Sequence, residues 1–261
     1  MTTPNSDTTQ TRTALVTGGN RGLGRSSALH LARAGTDVII TYRANADEAA
    51  AVVAEIGATG RRAVALQLDT TQVETFDAFA ADVRRTLAAD WGRERLDVLV
   101  NNAGVAAPTP VGSTELGAVQ ELVAVHFTGV VFLTQALLPL LADGGRIINT
   151  STGLARFTGD GALSVYASMK GAVEVYTRYL AKELGPRRIA VNAIAPGPTA
   201  TDFGGGSLRD DDQVRAHLGA VTAMGRVGQP DEIGAAVAAL ASDAMGWVTG
   251  QRVEASGGML L

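Results

Sequence analysis

Seven short runs of aliphatic and β-branched residues alternate along the chain with Ala-rich segments of helical periodicity, and this alternation restricts the fold more than any other feature. The runs are Ala14–Thr17, Asp37–Tyr42, Ala63–Leu68, Leu96–Asn101, Arg146–Thr150, Ile189–Ile194 and Arg252–Glu254. Helical segments are predicted near 22–34, 46–57, 72–90, 114–142, 164–185 and 230–242. Strands that read as nearly continuous Val/Ile/Leu runs are buried on both faces, as in a parallel sheet covered by helices. The expected fold is therefore α/β, a single doubly wound Rossmann-type domain with a parallel seven-stranded sheet and helices on both faces. No linker or charge block divides residues 12–261, and residues 1–11, polar and uncharged apart from Asp7, read as a disordered tail.

Composition narrows the chemistry. The 261 residues include no cysteine, which excludes disulfide frameworks, zinc–thiolate sites and thiol nucleophiles. The three histidines, His30, His126 and His217, fit no zinc spacing, so no metal is expected. A formal charge of −4 gives no electrostatic case for nucleic acid. The N-terminus carries no apolar targeting stretch. No apolar run reaches the roughly 18 residues that span a bilayer. The longest, VVFLTQALLPLLA, is interrupted by Gln135 and Pro139, so no membrane partner and a cytoplasmic location are expected. Of the 22 basic residues only Lys170 and Lys182 are lysines.

The first strand runs into Thr17-Gly18-Gly19-Asn20-Arg21-Gly22-Leu23-Gly24 and then directly into a helix. Glycines let the backbone turn tightly and approach a ligand, and the helix start offers unpaired N–H groups to a pyrophosphate. Residues 197–229 break the strand–helix rhythm with a cluster of glycines and the acidic run Asp210 to Asp212, and read as a substrate loop or lid.

The spacing T-G-x-x-x-G-x-G resembles the cofactor turn of the short-chain dehydrogenase/reductase family, and the resemblance extends over roughly residues 12–261. Asn101-Asn102-Ala103-Gly104 resembles its N-N-A-G motif, Tyr166-Ala167-Ser168-Met169-Lys170 its Y-x-x-x-K, and Asn192 with Pro196-Gly197 its N-x-x-x-P-G. Thr201 completes P-G-x-x-x-T. The resemblance implies dinucleotide contacts from Gly18, Asn20, Arg21, Gly22, Leu23, Gly24, Asn102, Ala103, Gly104, Pro196, Gly197, Thr199 and Thr201, and an adenine contact from Asp69. Asp69 alone also reads as a helix N-cap. NAD enzymes place a carboxylate near the end of the second strand, whereas this strand ends in Tyr42 and Arg43. A guanidinium pairs with a 2′-phosphate that a carboxylate would repel, and Arg21 adds a second cation, so NADP(H) is the expected cofactor.

Tyr166 and Lys170 lie four apart in a helical segment and share one face. A neighbouring ammonium is expected to lower the phenol's pKa, and a lysine can also donate to ribose hydroxyls. The family's catalytic serine falls on Thr152, one residue further than usual from the tyrosine, with Ser151 in reserve. His126 stands where the family has a relay asparagine. It reads either as a relay group with a pH-sensitive imidazole or as a satisfied core histidine. Together these imply NADPH-dependent reduction of a small-molecule ketone or aldehyde, similar to 3-oxoacyl-(acyl-carrier-protein) reductases. The alternatives are an alcohol dehydrogenase running oxidatively and a non-catalytic dinucleotide sensor. Substrate identity is assigned to residues 152–163 and 197–225, where Phe157, Leu163 and Phe203 suggest an apolar pocket. The acidic run points away from a carrier-protein partner. The family implies a homotetramer or homodimer.

Overall fold

The computed structural model describes residues 11–159 and 162–261. The tail expected over residues 1–11 therefore lies outside the described residues except for Thr11, and so do residues 160–161 of the expected substrate segment. Along the chain come β1 (Thr13–Val16), α1 (Gly22–Arg33), β2 (Asp37–Tyr42), α2 (Ala46–Ala58), β3 (Ala63–Gln67), α3 (Phe76–Trp91), β4 (Leu96–Asn101), α4 (Leu116–Val123), α5 (Gly129–Leu137) and β5 (Leu141–Thr150). The second half holds α6 (Ser164–Leu184), β6 (Ala190–Pro196), α7 (Ser207–Asp210), α8 (Asp212–Ala220), α9 (Pro230–Ala241) and β7 (Arg252–Ala255).

The strands form one seven-stranded sheet in the order β3-β2-β1-β4-β5-β6-β7, with every pairing parallel. Successive strand residues feed opposite layers: Ala14 and Val16 pack with α1, α2 and α9, while Leu15 between them packs with α3, α5 and α6. This two-sided burial is why the strands lack polar alternation, and each fully buried aliphatic side chain contributes about 1.5–3 kcal/mol. The chain leaves β1 for β2 and β3 on one side and returns to β4 on the other. That reversal opens a crevice beyond the carboxyl ends of β1 and β4, where doubly wound sheets bind their ligands.

Three local expectations are revised. The helix predicted over 114–142 contains a wide π-type turn at Ala124–Thr128 and ends at Leu137, because Pro139 sits in a tight turn and Leu141 is already paired with Leu96 of β4. With the tight turn that follows it the helical stretch runs Leu116–Leu140; an 18-residue window of it has a mean hydropathy of 1.7, and the stretch is long and apolar enough by length and composition to cross a membrane, which corrects the reading that no segment is. A helix tolerates scattered polar residues such as Gln135 that interrupt an unbroken apolar run. In this fold Leu122, Leu133 and Leu137 of that stretch are completely buried in the protein interior. Within 197–229 the structure builds two short helices, α7 and α8, where an irregular loop is expected. The acidic run serves their ends: the Asp211 carboxylate accepts from the backbone N–H groups of Gln213 and Val214 and caps α8.

Candidate active site

The glycine turn is held from two sides. Gly18 adopts a left-handed φ of +62°, and a Cβ on Gly24 would lie 2.1 Å from the Gly18 carbonyl oxygen, so the second position excludes any side chain. From β4 the Asn102 amide donates to the Thr17 carbonyl at 2.9 Å, while the backbone N–H groups of Asn102 and Ala103 donate to the Thr17 hydroxyl. The N-N-A-G segment thus acts as a brace for the turn. Helix α1 begins with Arg21 as N-cap, with no side-chain cap bond and no acidic residue in its first turn. Its N–H groups and positive dipole end suit an anion. A pyrophosphate fits this cradle.

At the end of β2, Tyr42 is half-buried and Arg43 exposed. The Asp69 carboxylate accepts from the backbone N–H and hydroxyl of Thr71, a local turn that leaves it on the cleft wall. The Arg21 guanidinium reaches across the cleft to the Asp202 carboxylate at 2.7 Å, so one of the two expected cations is paired within the chain. The Arg43 side chain has no ion-pair partner among the described residues.

Helix α6 presents Tyr166 and Lys170 on one face, both buried. Lys170 donates from Nζ to the Thr150 carbonyl at 2.6 Å, and burial holds its ammonium down to about 7. Tyr166 is pushed up to about 12 by burial, with the neighbouring Thr152 side chain working against the shift. The expectation that Lys170 lowers the phenol's pKa is therefore corrected for the protein by itself. The ammonium is 5.9 Å from the ring centre and is itself destabilised by the same desolvation. The result is a neutral phenol at physiological pH, a proton donor by default.

Thr152 is the hydroxyl that meets Tyr166. Ser151, the reserve candidate, is turned away, and its hydroxyl donates to Glu174 at 2.5 Å. The side chains of adjacent residues on an extended backbone point to opposite sides, so only one of the pair can face the phenol. His126 lies in the π-type turn with its ring edge-on to Tyr166, centres 5.0 Å apart. Its Nε2 hydrogen-bonds the Val105 carbonyl at 2.7 Å, while the buried Nδ1 has no partner among the described residues. Burial, reinforced by the Lys170 charge, lowers its pKa to about 3 against the opposing Val105 bond. The imidazole is neutral near pH 7, which removes the pH-sensitive switch from the sequence reading.

Tyr166, Lys170, Thr152, Ser151, His126, Arg21, Tyr42, Arg43 and Asp69 line a single cleft of about 1170 Å³, as do Gly22, Leu23, Gly104, Pro196, Gly197, Thr199 and Thr201. Beyond Tyr166 the wall turns apolar, with Leu154, Phe157, Leu163, Phe203, Leu208 and Met259. The Phe203 ring lies 5.8 Å from the Tyr166 ring. Sequence reasoning missed Asp202, Glu174 and Arg252. Glu174 had a readable signal, since it follows Lys170 by one helical turn. Asp202 and Arg252 meet their partners across 181 and 78 residues and carried none.

The family model described as enoyl-(acyl carrier protein) reductase matches residues 18–260. A 3-oxoacyl-[acyl-carrier-protein] reductase of Synechocystis is 36% identical over 95% of this chain and 96% of its own length. A hydroxynaphthalene reductase-like protein of Metarhizium brunneum is 34% identical over 95% and 94%. Among solved structures, the angucycline C-6 ketoreductase LanV with bound NADP superposes with a TM-score of 0.90 at 37% identity, covering 96% of both chains.

Proposed function

We propose that this chain, which belongs to the short-chain dehydrogenase/reductase family, is an oxidoreductase that reduces a ketone or aldehyde with NADPH. The observation that carries the reading is the buried, neutral Tyr166 phenol on the cleft wall with the Thr152 side chain, and with Lys170 on the next helical turn. Thr152 donates to the substrate's carbonyl oxygen and polarises it. Tyr166 gives its proton to that oxygen as negative charge develops there. Lys170 keeps one proton on the Thr150 carbonyl, leaving others for ribose hydroxyls and the developing phenolate. His126 packs the phenol ring from its edge and fixes its plane. NADPH, when bound, supplies the hydride.

The glycine turn and the start of α1 would hold the pyrophosphate, and Arg43 the 2′-phosphate. The absence of a carboxylate at Tyr42 and Arg43 supports NADP(H) over NAD(H), as does the NADP bound to LanV. The apolar wall around Phe157 and Phe203 favours an uncharged, ring-bearing ketone. Relatives named for hydroxynaphthalene and angucycline reduction support the same class. Exposed Phe132, Val175 and Tyr179 on α5 and α6 support self-association through those helices into a dimer or tetramer.

The deciding experiment follows NADPH oxidation by wild type and Tyr166→Phe against a panel of aliphatic, β-keto ester and polycyclic aromatic ketones. Wild-type turnover, a loss of about 10²–10⁴-fold in kcat for the variant and unchanged NADPH binding are expected. Turnover retained by the variant removes Tyr166 from the mechanism. No turnover with any carbonyl overturns the reading.

A further inference from the structure

Three consecutive residues, the last of β5 and the two that follow, each meet one face of α6. The Thr150 carbonyl accepts from Lys170 at 2.6 Å, the Ser151 hydroxyl donates to Glu174 at 2.5 Å, and the Thr152 side chain lies beside the Tyr166 phenol on the cleft wall. Tyr166, Lys170 and Glu174 follow one another at four-residue spacing, so the helix offers one grip per turn. From the opposite side, Arg252 of β7 donates from Nε to the same Glu174 oxygen at 2.6 Å and from Nη2 to the Thr152 carbonyl at 3.1 Å. A third nitrogen, Nη1, donates to Glu254 at 2.9 Å. One planar guanidinium therefore locks Glu174 and the Thr152 backbone in fixed relation.

We infer that Arg252 and Glu174 form a positioning pair that sets the Thr152 hydroxyl at the angle the substrate's carbonyl oxygen requires. The inference rests on the roles given above to Tyr166 and Thr152. A fixed backbone matters here because Thr152 has a competing use for its hydroxyl. It stands as N-cap of the turn Gly153–Ala155, where its Oγ1 accepts from the Leu154 N–H at 3.3 Å. That local bond uses a lone pair of the hydroxyl oxygen and leaves its proton to donate, so the direction of donation depends on where the main chain is held. The branched Cβ of Thr152 leaves few rotamers, so the direction of the hydroxyl follows the backbone closely.

The charges are arranged for such a task. Glu174 and Glu254 are neutralised by Arg252 and Arg156, and Arg156 also donates to the carbonyl of Met259 on the substrate wall at 2.9 Å. Two carboxylates against two guanidiniums give a partly buried cluster with no net charge behind the reacting groups. The cluster joins the Thr152 loop, α6 and the C-terminal segment, whose members are otherwise distant in sequence.

The test compares wild type with Arg252→Met, Arg252→Lys, Glu174→Gln and Ser151→Ala. For each, kcat and KM for the best ketone, the NADPH dissociation constant and Tm are measured. Arg252→Met is expected to lower kcat/KM by about 10–100-fold, with KM raised and kcat reduced. NADPH binding stays within about twofold, and Arg252→Lys, which reaches Glu174 or the Thr152 carbonyl but not both, recovers part of the loss. A merely structural role would instead lower Tm and the active fraction, reducing kcat at constant KM. Wild-type kcat and KM in a folded, NADPH-binding Arg252→Met overturn the proposal. If that variant does not fold, Glu174→Gln and Ser151→Ala decide, and wild-type kinetics in both overturn it equally. Absence of turnover in the wild type overturns the functional reading and this proposal together, whereas turnover unaffected by the substitutions overturns this proposal alone.

Discussion

The Arg21 guanidinium, on the turn between β1 and α1, is bonded at 2.7 Å to the carboxylate of Asp202, 181 residues later, on the segment leading into α7. The pair bridges the two walls of the cofactor cleft. It also occupies the cation that stands second in line for a 2′-phosphate. Both side chains are partly exposed, at 63% and 29%, so the bond itself is weak. Asp202→Asn is expected to release Arg21 and tighten NADPH binding by about two- to fivefold, an effect that fades as salt screens the charges. Fluorescence titration of NADPH at low and high salt measures it. Weaker NADPH binding by the variant would show that the pair helps to hold the cofactor.

Of the two cations Arg21 and Arg43, the Arg43 side chain is the one with no ion-pair partner among the described residues. Arg43→Asp removes a charge-assisted bond and adds a repulsive carboxylate, so the NADPH dissociation constant is expected to rise about 10–100-fold. The NADH constant should stay level or fall. Titrating both dinucleotides against both proteins checks this, and tighter NADH than NADPH binding by the wild type would reverse the cofactor assignment.

His126 makes the fold acid-sensitive. Its pKa falls from 6.5 to about 3 on burial, so between these values the unfolded chain holds a proton that the folded chain does not. Stability therefore rises with pH across that window and is lost as pH falls below 6.5, by at most ~1.4 kcal/mol per pH unit. His126→Asn should flatten this dependence. Urea unfolding at pH 7.5, 6 and 5 makes the comparison, and parallel curves for the two proteins would assign the acid sensitivity elsewhere.

Thr152 shares the cleft wall with Tyr166 and is the hydroxyl assigned to the substrate oxygen, so the isosteric Thr152→Val should cost about 10²–10³-fold in kcat, the scale of losing one donor to a developing oxyanion. Thr152→Ser keeps the donor and should retain most activity. Steady-state kinetics on the three proteins separate the hydroxyl from the methyl group. Equal activity in the valine variant would move the donor role to another residue.

Much of the site was legible because its signals are local. The glycine turn declares itself by residues that tolerate close approach, and Gly24 indeed has no room for a Cβ. Tyr166 and Lys170 share a face through helical spacing alone. By the same rule Glu174 was within reach of the sequence reading, yet an acid on a helix has many uses, and only its bond to Ser151 singles it out.

The sequence by itself determined the parallel sheet, the cofactor turn and the Tyr–Lys face, since periodicity, glycine tolerance and four-residue spacing act between near neighbours. Tertiary structure alone decided that Thr152 rather than Ser151 faces the phenol, that Asp202 takes Arg21, and that Arg252 grips Glu174. It also set the titration of Tyr166, Lys170 and His126, because desolvation depends on everything packed around a group, and chain segments far apart in sequence supply that packing.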